Sequence, residues 1–206
     1  MHFYPLWVKC LYFLYREFGR RSLPTIGVFM HEIADLYLEA AKVYRVCQST
    51  TKRPKYLGSA HFRIIHLTDP HLHCVPSLHV LVVVLNSIRF CQFVDRLSHN
   101  GAAYAKQKRY VYTQAVEITN SILYVKQHSV NCIPAALYAL SKYAGEFTEN
   151  DARAFIDDLL RNDRLETREE IVRFIHTRYQ SFMESELNGS YRNVLIDYLR
   201  SFEPAR

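Results

Sequence analysis

Glycine and proline are scarce: 6 Gly and 7 Pro in 206 residues. That is too little material for the many tight turns of a β-sandwich or barrel, so long helices are favoured. Cysteine excludes almost as much. Cys10, Cys47, Cys74, Cys91 and Cys132 lie far apart with no Cys-x-x-Cys pair, and an odd number cannot pair fully within one chain. They read as small buried residues. No apolar run reaches the roughly 20 residues that span a bilayer. The most apolar stretches, Cys74 to Ile88 and Ser129 to Leu140, read instead as central core helices. The opening residues look like an export signal, but Lys9 interrupts the apolar run and no small-residue cleavage site follows. A cytoplasmic or peripherally membrane-associated protein is expected. Internal repeats and low-complexity tracts are also missing.

The sequence does hold enough to build one core: 49% of residues are apolar and 22% charged. Intrinsic disorder is excluded on that balance, and a single domain over 1–206 is expected. The net charge of +6 is modest, with short basic clusters at Arg20-Arg21 and Lys52-Arg53-Pro54-Lys55. It suits phosphate ligands, an anionic membrane surface or RNA without selecting one.

Helical spacing of Phe3, Leu6, Trp7, Cys10, Leu11, Leu14 and Tyr15 predicts a first helix over residues 2–18, closed by Gly19. A second starts at Ser22, with Pro24 in its first turn, and runs to about Cys47. The long loop from Gln48 to Val75 carries four histidines, and a loop of that length in a compact domain is a place for function. Core helices follow from Pro76 to about Ser98, from Ala102 to Gln127 and from His128 to Lys142. Three amphipathic helices fill 148–204, the first starting at Thr148 with Asp151 and the second at a capping box of Thr167 with Glu170. Asn188-Gly189-Ser190 precedes the third, and the charge-rich faces of all three are expected to be solvated. The fold class is all-α, a bundle of about seven or eight helices.

Two constellations carry chemistry. Phe62 to His73 (FRIIHLTDPHLH) presents Asp69, His71 and His73, types that borderline metals accept. It resembles the opening of calcineurin-like metallophosphoesterases and would make a metal-dependent hydrolase, although the later Gly-Asp and Gly-Asn-His segments of that family have no counterpart.

The second is Pro76-Ser77-Leu78-His79-Val80, a core helix, and then Lys126-Gln127-His128. Here the sequence resembles the type 2 phosphatidic acid phosphatase and vanadium haloperoxidase superfamily, in its inositol phosphoceramide synthase-like branch. The resemblance covers roughly Arg53 to Leu140. It implies a metal-independent phosphohydrolase or phosphotransferase needing no cofactor. His128 would be the nucleophile that forms a phosphohistidine, His79 the general acid, and Ser77, Arg53, Lys126 and Lys52 the phosphate ligands. The substrate would be a phosphate ester; a lipid is the less expected one, because the chain is less hydrophobic than the integral-membrane branch.

Three positions depart from the family pattern. Cys132 stands where an Asp orients the nucleophile, Ile122 where an Arg is usual, and Val46 where the first motif has Lys. Lys42, Arg45 or Lys52 are the candidates to replace that Lys, and Asp69 or Glu117 the candidates to replace the carboxylate. Neutralising such an orienting Asp costs about 10⁴-fold in a serine-protease triad. A catalytically degenerate helical protein, binding phosphate or a partner through its C-terminal helices, is therefore the alternative.

Weaker signals complete the reading. His31-Glu32 starts a zincin-like helix motif but meets Asp35 where the second His belongs. Tyrosines among Lys106, Lys108, Arg109, Tyr110 and Tyr112 lack a strand platform for stacking bases, so no specific nucleic-acid partner is expected.

Overall fold

The computed structural model describes residues 3–51, 73–125, 128–162, 165–185 and 190–202. Among these, eight α-helices and two 3₁₀ turns account for the regular structure. They are α1 (Phe3–Phe18), a turn at Gly19–Ser22, α2 (Leu23–Tyr44), α3 (Leu78–Leu97), a turn at Gly101–Tyr104, α4 (Ala105–Tyr124), α5 (Cys132–Tyr143), α6 (Glu149–Asp158), α7 (Arg168–Glu184) and α8 (Tyr191–Arg200). The all-α expectation holds.

Two helices form the centre because their sequences are apolar on every side. Every residue of α3 from Val80 to Ser87 is buried, as is every residue of α5 from Cys132 to Leu140. A helix apolar all round has no solvent face, so it must be surrounded. α3 packs against α1, α2, α4 and α5, and α5 packs in turn against α6, α7 and α8. The apolar stretch ending at Ile88 continues as helix to Leu97. α3 is thus a 20-residue helix long and apolar enough, by length and composition, to cross a membrane, and 67% of its most apolar window is buried inside the protein.

Local chemistry sets most boundaries. Gly19 ends α1 at φ +58°, a left-handed conformation that glycine adopts without strain. Ser77 starts α3, its Oγ accepting from Val80 N. Thr148 and Asp151 exchange hydrogen bonds as a capping box, with Asp151 N–H donating to Thr148 Oγ1 and Thr148 N–H to Asp151 Oδ2.

Three boundaries differ from expectation. The Ser22 hydroxyl turns back to donate to Gly19 O, at 2.7 Å, and does not cap α2. Thr167 makes no side-chain cap because its backbone is not extended (φ −91°, ψ 9°); Arg168 instead reaches back to the Asp157 and Leu159 carbonyls at the end of α6. The helix expected to open at His128 begins at Cys132. His128 is held in the preceding turn, where its backbone N–H meets Ile122 O at 3.4 Å.

Candidate functional site

The segment before α3 is tied to the chain just after α2. Ser49 accepts from both backbone N–H groups that precede Pro76: Cys74 N–H reaches Ser49 O at 3.2 Å, and Val75 N–H reaches Ser49 Oγ at 2.9 Å. Tyr44, at the last turn of α2, donates its hydroxyl to Pro76 O and stacks on the His73 ring at 4.7 Å. These contacts fix the short bent segment of residues 73–77, and with it the direction of the Cys74 carbonyl.

That carbonyl meets His128. His128 Nδ1 lies 3.3 Å from Cys74 O, and His128 Nε2 lies 3.0 Å from Nδ1 of His79 in the first turn of α3. The two rings cross at 68°, their centroids 5.2 Å apart. A carbonyl oxygen can only accept, so in the neutral pair the proton of His128 sits on Nδ1 and its Nε2 carries the lone pair. Nδ1 of His79 is then the donor. The chain of hydrogen bonds runs from His79 through His128 to Cys74 O and selects one tautomer at each ring. His128 is buried, at 7% exposure, and His79 is half-buried.

His128 also lines a cavity of about 630 Å³. Its walls alternate polar groups (Thr50, Thr51, Ser129, Asn131) with apolar ones such as Leu160 and Ile171. Thr51 Oγ1 and Asn131 Oδ1, on two of these lining residues, are buried polar atoms without a hydrogen-bond partner among the described residues. Buried polar groups are paired in the great majority of cases, so two such atoms beside one cavity indicate capacity to hold a polar ligand.

Of the residues singled out by sequence, His79 and His128 come together. Ser77 is fully buried at the start of α3, where its oxygen serves as the helix cap. Cys132 is fully buried at the start of α5 with its Sγ 3.4 Å from Ser129 Oγ, and burial pushes its thiol up to about 12. It is a neutral thiol at physiological pH, so it brings no charge to His128. Ile122 is buried, and Glu117 is exposed on α4. His73 is exposed at φ 72°. Lys52, Arg53, Asp69, His71 and Lys126 lie outside the described residues.

The weaker signals resolve into structural contacts. His31 is exposed beside Asp35, and Glu32 accepts from Arg89 at 2.8 Å. Lys108 pairs with Asp95, and Tyr112 donates to Asp158 at 2.7 Å. Among the described residues, no three His, Cys, Asp or Glu side chains gather closely enough to hold a metal ion.

Sequence reasoning missed Tyr44, Ser49 and the Cys74 carbonyl. A carbonyl has no residue signature, and Ser49 acts through a contact between segments that no spacing encodes. No family model, curated protein or solved structure matches the chain.

Proposed function

We propose that the protein is a metal-independent phosphohydrolase or phosphotransferase that forms a phosphohistidine on His128. The observation that carries this reading is the tautomer lock. Cys74 O, 3.3 Å from His128 Nδ1, holds the proton there and leaves Nε2 as the nucleophilic atom, facing a second imidazole at 3.0 Å. A backbone carbonyl thus takes over the orienting role that the resembling family gives to an Asp at the position of Cys132. It fixes the ring as a carboxylate would, but adds no negative charge.

In the proposed reaction a phosphoryl group enters between the two rings and parts their direct contact. His128 Nε2 attacks phosphorus, the N–P bond forms as the ester P–O bond breaks, and His79, which enters the step as the imidazolium, gives one proton to the leaving oxygen and becomes neutral. In the second half, His79 takes a proton from water or an acceptor alcohol. The resulting oxygen nucleophile attacks phosphorus and the N–P bond breaks, restoring His128. Ser77, Lys52, Arg53 and Lys126 are assigned to the phosphate oxygens by resemblance. The cavity of about 630 Å³ beside His128 supports room for the rest of the ester.

The test is turnover of an aryl phosphate and a short-chain phosphatidate by wild type and His128→Ala, each with and without EDTA, with acid-labile phosphate on the enzyme assayed after quenching. The expected result is EDTA-resistant turnover, lost by a factor of about 10³ or more in the variant. Loss of turnover with EDTA would move the chemistry to Asp69, His71 and His73.

A second reading rests on a specific observation. Cys132 and Ile122, both buried, occupy the positions where the resembling family carries charge. A protein that binds phosphate without turning it over would keep the imidazole pair and lose those charges. Folded wild type inactive on every substrate, yet binding orthovanadate in a His128-dependent way, would establish that reading in place of the enzyme.

A further inference from the structure

The outer face of α1 carries a patch that the phosphate site does not use. Val8, Tyr12 and Tyr15 recur at helical intervals and are 49%, 65% and 49% exposed, and Leu23, across the turn, is 49% exposed. Exposed side chains of this size on one helix face mark a contact surface more often than chance scatter does. The charge around them is predominantly positive. Lys9, Arg16, Arg20 and Arg21 are all exposed, against a single acid, Glu17, that pairs with Arg16 at 3.4 Å. The opposite side of α1 is its packed side, where Leu6, Cys10 and Phe13 line an apolar cavity of about 360 Å³ against α4, so the patch itself has no partner within the described residues.

We propose that the α1 face docks on the surface of an anionic lipid bilayer. Tyrosine suits that boundary because its ring is apolar and its hydroxyl is wet. Lysine and arginine beside it meet the negative headgroups while their stems lie along the apolar face. An acidic protein surface would satisfy the cations but leave Val8, Tyr12, Tyr15 and Leu23 against polar groups, whereas an anionic bilayer offers charge and an apolar layer together, so the bilayer is the occupant that both features fit. The docking surface stands apart from His79 and His128, and its test does not depend on turnover.

The experiment is flotation of the full chain with vesicles of phosphatidylcholine alone or of an equal mixture of phosphatidylcholine and phosphatidylglycerol, at low and high salt. Two variants accompany wild type, Tyr12→Ser with Tyr15→Ser and Arg20→Glu with Arg21→Glu. All four positions are exposed, and circular dichroism checks that both variants stay folded. Wild type should float with the mixed vesicles and not with phosphatidylcholine, release as salt rises, and lose about tenfold in partitioning in each variant. Equal recovery on the two vesicle types, no flotation of wild type, or unchanged recovery of either variant would overturn the proposal. So would a wild-type dimer that the Tyr12→Ser, Tyr15→Ser variant converts to monomer, because a second copy would then cover the face.

Discussion

Every residue of α3 from Val80 to Ser87 is buried, whereas α8 buries only Leu195 and Leu199 and adds an ion pair, Arg192 with Glu39, to the side chains it lays on the core. The contrast extends to the regions around them. The imidazole pair stands on α3 and on the turn before α5, and its orienting contacts come from backbone groups and hydroxyls: Cys74 O, Ser49 and Tyr44. The C-terminal helices add charged side chains to their apolar packing. Glu39 on α2 accepts from Lys42 at 2.5 Å, from Tyr191 at 2.6 Å and from Arg192 Nε at 2.7 Å. Arg153 joins Glu149 and Gln180, and Arg168 holds the end of α6. Burying apolar surface responds weakly to pH, while a carboxylate among cations responds strongly. The attachment of α8 to α2 through Glu39 therefore depends on proton activity more than the apolar packing of α3 against α5 does.

The largest expected effect breaks the central half. Leu137 in α5 is fully buried, and Leu137→Ala should cost about 3 kcal/mol in a urea melt through lost burial and the cavity left behind. Because α5 contacts the C-terminal helices, the loss should appear as one cooperative transition; two separate transitions would show that the halves unfold independently.

Next comes the carboxylate. Burial by itself raises the Glu39 carboxyl, but hydrogen bonds from Lys42, Tyr191 and Arg192 outweigh it and hold it at about 2, below the ordinary 4.5. A depressed carboxyl contributes its stability in full above the ordinary value and loses it as pH falls from 4.5 toward 2. Glu39→Gln should cost about 2 kcal/mol at neutral pH and flatten this acid limb. Amide exchange should localise the loss to α8, and an unchanged acid limb in the variant would contradict the assignment.

Smaller effects follow at the surface. Thr148→Ala removes both its acceptance from Asp151 N–H and its donation to the Asp151 carboxylate, and should cost about 1 kcal/mol by thermal melt. Lys108→Gln breaks the pair with Asp95, where Asp95 is 56% exposed, and should move stability by no more than about 0.5 kcal/mol. A larger loss there would show that the α3 to α4 connection depends on charge as much as the C-terminal helices do.

The same contrast governs how much the sequence reveals. The apolar runs around Val80 and Leu137 declare central helices because burial on all sides demands them. The Thr148 and Asp151 box is legible because its two side chains act within one turn. Thr167 with Glu170 has the same local pattern and does not cap, because Arg168 is drawn to carbonyls of α6, a contact between helices that no local pattern carries. At the candidate site, the spacing of Pro76, Ser77 and His79 and the later His128 brings out the two imidazoles. The group that orients His128 is hidden, because sequence comparison looks for a carboxylate and finds Cys132, while the acceptor is the backbone of Cys74.

Glu39 and Tyr191 are separated by 152 positions, yet they share one hydrogen bond. A ribosome must have reached Arg192 before that carboxylate meets its distant partners. Until then α2 waits with Lys42 as its local companion, and a product truncated before Tyr191 lacks the aromatic hydroxyl and the guanidinium together. The contact works as a latch between α2 and α8, closing only once both helices have been made.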